Sequence, residues 1–348
     1  MIHGIEIRNF RCFEETKISG FKRLNLIGGL NHSGKTALLE ALFLGNCPSA
    51  QGIRTIRQIR KESLPFLKTA PDRAWDSFFL DTEKEIQIVS KINGSSNSFR
   101  AYLSSSLSEE TDPESSGPSR LFMEWEISGE NPGSITFRMD ADSKGIRIRN
   151  ISRKGKKQAF MQADFILSSD PVSELAVKYD QAELAGKGDY ILHAVRLTEP
   201  LMEQIRTFSI GEPLLYLKRK GDKFLPVSLY GEAIAKIMDY TVRIVSRPGR
   251  ILFIDEIENG IHYTNHRKLW EMLFRLAPEF DIQIFAATHS LEMIQAFAET
   301  GLQQKDRDCA AYTELIRNVR TGRIAGICRD VKELDYTLKR GVEVRGER

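Results

Sequence analysis

The chain has 348 residues, 41% of them hydrophobic and 28% charged, which is enough for one large domain with an inserted lobe or for two domains. A net charge of +3 over a balanced surface neither demands nor excludes nucleic acid, so only local patches can decide that question. Cys12, Cys47, Cys309 and Cys328 stand far apart with no CxxC pair, and no apolar run approaches the roughly 18 residues of a membrane helix; a zinc ribbon, a secreted disulfide framework and a membrane span are thereby excluded, and a cytoplasmic protein that touches no membrane is expected.

The start, Met1 to Ile7, alternates like a strand rather than a targeting segment. The apolar run Leu24-Asn25-Leu26-Ile27 follows, then a glycine-rich turn, then a helical run from Ala37 to Leu44, which reads as the opening of an α/β nucleotide-binding fold. From Pro48 to Pro71 the pattern is basic and loosely helical. Between Glu85 and Ile151 apolar and polar residues alternate, as at Ile86/Ile88, Met123/Trp125/Ile127 and Ile146/Ile148, the period of half-buried antiparallel strands. This predicts an inserted β lobe, interrupted at 104–120 by a serine- and acid-rich stretch with almost nothing to bury, expected to be a mobile loop.

After Pro171 the apolar residues Val172, Leu175, Tyr179, Ile191, Val195, Leu201 and Ile205 recur at helical spacings, predicting a helical lobe with no sustained heptads. An amphipathic helix is predicted from Glu232 to Val245. The α/β core then resumes with strand Ile251 to Ile254, helix Asn265 to Leu276, strand Ile282 to Ala286, helix Leu291 to Glu299, and strands near Tyr312 to Val319 and Ile324 to Cys328.

Chemistry concentrates at three strand ends. Gly29-Leu30-Asn31-His32-Ser33-Gly34-Lys35-Thr36 fits the P-loop pattern GxxxxGK[ST] between a strand and a helix. Such a turn aims backbone N–H groups of Asn31, His32, Ser33 and Gly34 and a positive helix end at a triphosphate. Lys35 would reach the β and γ phosphates, and Thr36 would offer its hydroxyl to Mg²⁺. Ile251 to Ile254 ends in Asp255-Glu256, the profile of a buried strand presenting carboxylates at its carboxyl end. Asp255 suits Mg²⁺ held through water, and Glu256 suits orienting or deprotonating an attacking water. Thr288-His289-Ser290 follows another buried run, placing His289 on the same sheet edge, where it could sense or polarise the γ-phosphate.

These blocks, with Asn9-Phe10-Arg11 and Ile254-Asp255-Glu256-Ile257-Glu258-Asn259-Gly260-Ile261-His262, resemble the ABC-type ATPase heads of the RecF, SMC and OLD group. They are most similar to stand-alone bacterial ATPases of that group without a TOPRIM nuclease domain. The resemblance implies an α/β P-loop NTPase, an ABC-type head with an inserted antiparallel β lobe and a helical lobe, using ATP and Mg²⁺. The division expected is an ATPase core of 1–47 and 207–348, an inserted region of 48–163 and a helical lobe of 164–206. It also implies a D-loop at Glu258 to His262 and a signature segment before Walker B. Ser228-Leu229-Tyr230-Gly231-Glu232 resembles that segment but departs from LSGGQ, with Tyr230 in place of a small residue. In the family the signature acts in trans, so Ser228 and Gly231 are expected to complete a partner's site in an ATP-dependent homodimer.

By the same resemblance, such heads control a separately encoded nuclease or toxin effector in defence against phage. The alternative is a RecF-like repair clamp that binds DNA directly. A transporter subunit is disfavoured by the missing LSGGQ and the large β lobe. Arg147, Arg149, Arg153, Lys154, Lys156 and Lys157 form the densest basic cluster and are the candidate DNA contact, although a solvated strand face explains them equally well. Asp306-Arg307-Asp308, superficially like a nuclease DxD, is read as a loop.

Overall fold

The computed structural model describes every residue except 48, 61, 63–69, 105–118, 129–131, 143, 155–161, 167–171 and 347–348. Strand β1 (Ile2–Phe10) turns at Arg11-Cys12 into β2 (Phe13–Ser19), and β3 (Leu24–Gly28) leads into helix α1 (Lys35–Asn46). Helix α2 (Ala50–Ile59) follows, capped by the Ser49 hydroxyl. Five antiparallel strands come next: β4 (Ile86–Ile92), β5 (Ser95–Ser104), β6 (Ser119–Ser128), β7 (Gly133–Asp142) and β8 (Gly145–Lys154). They do not stand apart. β4 pairs with β1, giving a seven-stranded sheet in the order β2-β1-β4-β5-β6-β7-β8. The sheet therefore crosses the expected boundary at residues 47/48. The mobile loop expected at 104–120 lies, from 105 to 118, outside the described residues, and Ser104 and 119–120 belong to strands.

Strand β9 (Ala163–Ile166), unforeseen in the sequence, pairs in parallel with the strand Ile251–Ile254 that leads into Asp255-Glu256, and so belongs to the core sheet rather than to either insertion. Helices α3 (Val172–Leu184) and α4 (Gly188–Thr198) match the helical reading, but the helix does not extend through Leu201 and Ile205. That stretch is strand β10 (Met202–Ile210), paired with β11 (Glu212–Arg219) and, through it, the short β12 (Leu225–Pro226). The cause of the misreading is local: Leu201 and Ile205 stand four apart like a helical face, but Leu201 is exposed just before the strand and of the two only Ile205 is buried on it.

The core sheet is built from β13 (Ile251–Ile254), β14 (Gln283–Thr288), β15 (Ala310–Arg317) and β16 (Ile324–Asp330) with β3 and β9, in the order β16-β15-β3-β14-β13-β9. Every pair is parallel except β15 with β16. Its inner strands β3, β13 and β14 are buried on both faces, which is why they read as continuous apolar runs. Leu252, Ile254, Ile284 and Ala286 face the core under α5 (Glu232–Ser246), α6 (His266–Glu279) and α7 (Leu291–Leu302). Ile251, Phe253, Phe285 and Ala287 face α1 and the antiparallel sheet. Helix α1 is buried all round between the two sheets: Trp125 Nε1 donates to Leu44 O at 2.8 Å on one side, and Phe43 meets Phe165 and Phe253 edge-on at 5.9 Å on the other. A last helix, α8 (Val331–Lys339), also missed, starts at a capping box of Asp330 and Glu333. Asp306 caps a single turn at Arg307–Cys309, in keeping with the loop reading. All four cysteines are free thiols, and no helix among the described residues is long and apolar enough to cross a membrane.

Candidate functional site

The parallel register brings the three expected strand ends level. Gly28 pairs with Thr288, and Ile254 with Ala286, so Gly29, Asp255 and His289 each follow directly on neighbouring strands. Between β3 and α1 the chain passes through His32 at φ 64° and Gly34 at φ 95°, the left-handed region. A Cβ is strained there, so glycine at 34 lets the helix begin at Lys35 with its first N–H groups open.

Lys35 Nζ donates to Gly29 O and Leu30 O, both at 2.8 Å, and burial pulls its ammonium below its ordinary pKa against the opposing charges of Asp255, Glu258 and Glu256. Thr36 Oγ1 donates to Asp255 Oδ2 at 2.7 Å. Burial pushes the Asp255 carboxyl up, the Thr36 hydrogen bond acts against that, and the Glu256 charge adds to it. A hydroxyl and a carboxylate oxygen side by side form a hard oxygen donor pair that could hold Mg²⁺, with the remaining positions left to water and phosphate. Among the described residues no group of three or more His, Cys, Asp or Glu could hold a metal alone. The Ser33 hydroxyl and Arg11 Nη2 are buried without a hydrogen-bond partner, and both residues line the cleft. Unpaired donors at a P-loop fit an anion.

Glu256 sits at φ 49°, an uncommon conformation for a side chain of this kind and one that clusters at functional sites. Its Oε2 accepts from Asn259 Nδ2 at 2.7 Å, and the turn is pinned by Ile257 N donating to Ala287 O at 3.0 Å. His289 is held by Glu258: its backbone N–H and its ring Nδ1 both lie 2.8 Å from Glu258 Oε1. A carboxylate only accepts, so Nδ1 carries the proton and Nε2 is the atom left for other chemistry.

Around these residues lies a cleft of about 1030 Å³. It gathers Asn31, His32, Ser33, Gly34, Lys35 and Thr36 with Asp255, Glu256 and His289. Gly29 contributes its carbonyl to Lys35. Ser228 and Gly231 are not part of its lining. They lie at a turn before α5, which Gly231 enters at φ 91° with nothing within 4 Å of where a Cβ would stand. Tyr230, the departure from the signature pattern, is a packing residue: its hydroxyl donates to Leu217 O at 3.0 Å and Arg219 lies 5.0 Å over its ring. Helix α5 touches the expected D-loop through Lys236 Nζ, 2.5 Å from Asn259 O.

Sequence reasoning missed the far wall. Glu40 on α1 is fully buried between Arg11 (3.1 Å) and Arg60 (2.6 Å), and Glu62 lies between Arg11 (3.5 Å) and Arg57 (3.2 Å). Arg11 and Arg60 line the cleft, as do Arg317 and Arg323 from the β15–β16 turn. Arg11 belonged to a quoted motif; nothing local marks Arg60, Arg317 or Arg323. The basic cluster on β8 is less open than it reads. Arg147 pairs with Asp142, and Arg149 approaches the buried Asp140 at 3.8 Å beside Arg138 at 3.1 Å. Arg153 and Lys154 stay on the β8 strand, and Lys156 and Lys157 lie outside the described residues.

A family profile described as "AAA domain, putative AbiEii toxin, Type IV TA system" matches residues 24–294. An ATP/GTP phosphatase of Helicobacter pylori is 27% identical over 351 aligned residues, covering 90% of this chain and 91% of its own. A solved Smc head bound to the C-winged helix domain of ScpA aligns over 95% of this chain and 98% of its own, with a TM-score of 0.52 at 10% identity. An Smc head with an extended coiled coil, bound to the C-terminal domain of ScpA derived from Pyrococcus furiosus, aligns over 97% and 98%, with a TM-score of 0.50 at 10% identity. At such identity the likeness is one of fold, that of an ABC-type P-loop head.

Proposed function

The chain belongs to the family described as "AAA domain, putative AbiEii toxin, Type IV TA system", and from that premise we propose that it is a nucleotide-switched ATPase whose two heads close on each other to control a separate effector. ATP hydrolysis accords with the family and with the Helicobacter pylori ATP/GTP phosphatase. The observation that carries the site is the Thr36 to Asp255 contact of 2.7 Å, with Lys35 and Glu256 beside it on one sheet edge.

In this reading Lys35 leaves the Gly29 and Leu30 carbonyls and turns to the β and γ phosphates, while backbone N–H groups of 31–34 hold the phosphate chain. Thr36 and Asp255 would hold Mg²⁺, which would supply charge neutralisation to the phosphates. Glu256 orients or deprotonates the attacking water, and His289 contacts the γ-phosphate through Nε2 while Glu258 fixes its tautomer.

Support for the homodimer comes from Ser228 and Gly231. They are exposed at a helix N-terminus, with open space above Gly231, and do not reach their own cleft. A γ-phosphate of a second head would satisfy that terminus. A separately encoded nuclease or toxin effector and a role in defence against phage rest on the resemblance of the motif blocks, with which a toxin–antitoxin family accords, and four free thiols suit a cytoplasmic setting. The internal pairing of Arg147 and Arg149 favours this reading over a DNA clamp.

Complementation tests it. Lys35→Ala and Gly231→Asp are each expected to be inactive, the second because a carboxylate would face the partner's γ-phosphate. An equal mixture forms heterodimers with one intact composite site and is expected to regain roughly a quarter of wild-type turnover. A mixture as inactive as its parts, or a Gly231→Asp protein that dimerises on ATP as well as wild type in ultracentrifugation, would sink the paired-head model.

A further inference from the structure

Lys35, Thr36, Asp255 and Glu256 fix the phosphate end of the cleft, so a bound nucleotide must extend its ribose and base toward the opposite wall. Two turns from different sheets build that wall: the β1–β2 turn with Arg11, Cys12 and Glu14, and the β15–β16 turn with Arg317, Thr321 and Arg323. Strand β15 lies beside β3 with Glu314 level with Gly28, so the chain beyond Arg317 passes along the outer side of the P-loop. One pair joins the turns: Arg323 Nε and Nη2 donate to the two Glu14 oxygens at 2.8 and 3.0 Å, a bidentate fork.

Among the described residues no Phe, Tyr or Trp lines the cleft. Phe10 and Phe13, which flank Arg11-Cys12, are fully buried in the core beneath the turn. Along the β15–β16 turn most backbone N–H groups are taken up within the turn itself. Gly322 N donates to Asn318 O at 2.8 Å, Asn318 N to Arg323 O at 2.8 Å, and Arg317 Nε to Gly322 O at 3.3 Å. Arg320 N and Thr321 N both donate to Asn318 Oδ1 at 2.9 Å. Discrimination between bases needs polar groups that the wrong base would leave unpaired. A guanidinium plane, by contrast, stacks on any base, because every base has a π face.

We propose that the cleft accepts nucleoside triphosphates with little regard to the base, and that Arg323, held by Glu14, is the group on which the base stacks. This rests on the hydrolase reading above and specifies its substrate class.

The test is a set of kcat and KM values for ATP, GTP, CTP and UTP with the full chain, wild type against Arg323→Ala and Arg323→Lys. The four kcat/KM values are expected to fall within roughly tenfold of one another, since stacking on a guanidinium plane does not separate the bases. Arg323→Ala is expected to raise KM for every triphosphate by roughly 3- to 10-fold, the loss of one exposed to partly desolvated stacking contact, with a smaller effect on kcat. Arg323→Lys keeps the charge and the pair with Glu14 but not the plane, and is expected to match Arg323→Ala. A preference for ATP over GTP of about 100-fold or more would overturn the proposal, because only base-edge contacts give ratios of that size. So would an Arg323→Lys protein indistinguishable from wild type. Failure of the underlying reading looks different: no triphosphate is hydrolysed above a Lys35→Ala background, and the proposal falls with it.

Discussion

Asp255 shows how one residue ties the site to stability. Burial and the neighbouring Glu256 charge hold its carboxyl above the ordinary carboxylate range despite the Thr36 hydrogen bond. A folded-state pKa above the unfolded value means a contribution fully present below the unfolded pKa and lost as pH rises through the folded one. The ionised form is therefore the less favourable one in the fold until a cation arrives. Asp255→Asn is expected to raise the Tm of the nucleotide-free protein by a few degrees, the usual scale of a single favourable change in a large domain. It should also remove the further stabilisation that ATP with Mg²⁺ gives. Thermal melts with and without MgATP check both, and a lowered Tm would show that the carboxylate is not a burden in the free protein. Asn259, whose amide holds Glu256 Oε2 at 2.7 Å, acts as a positioning residue. Asn259→Ala should slow single-turnover hydrolysis by roughly tenfold, with ATP affinity kept, as expected when the base is present but less well placed. The phosphate and Walker B residues were legible in the sequence because each follows directly on an apolar strand. Glu14 and Arg323 were not: they meet across 309 positions through two hairpins that only the tertiary fold brings together.

Helix α1 is the element that couples the P-loop to both sheets, and Glu40 is its buried charge, shared by Arg11 and Arg60. Removing one member of such a group leaves uncompensated charge. Glu40→Ala is expected to destabilise the chain by about 3 kcal/mol, toward the low end because the half-buried Arg60 can turn to water. Urea unfolding measures this, and a change well below 1 kcal/mol would show that the network is incidental. Periodicity found the core strands and most helices because both-face burial and amphipathic stripes are local properties. It failed where local pattern misleads, at β10, where the exposed Leu201 and the buried Ile205 happen to stand at a helical spacing, and at β9, only four residues long. The capping box of α8 was visible at Asp330 and Glu333, and Val331, Leu334 and Leu338 stand behind it at helical spacing; both signals were overlooked.

In the whole molecule the strands after residue 85 extend the sheet that β1 and β2 begin, so the P-loop helix is held between a core sheet and an antiparallel one. Alternation in the sequence reveals the strands but not which edge they join, since pairing partners are set by non-local contacts. The result is a head in which every group proposed to act on phosphate lies along one sheet edge, and the proposed signature lies elsewhere, free for a second copy. The central claim is that this edge hydrolyses ATP with Glu256 as the acid that handles the water. Single-turnover hydrolysis by Glu256→Gln, with equilibrium ATP binding measured on the same protein, tests it most directly. Binding within about twofold of wild type with a rate reduced by roughly 10²- to 10⁴-fold is the expected result, the span of a lost general base. Undiminished hydrolysis by Glu256→Gln would contradict the account.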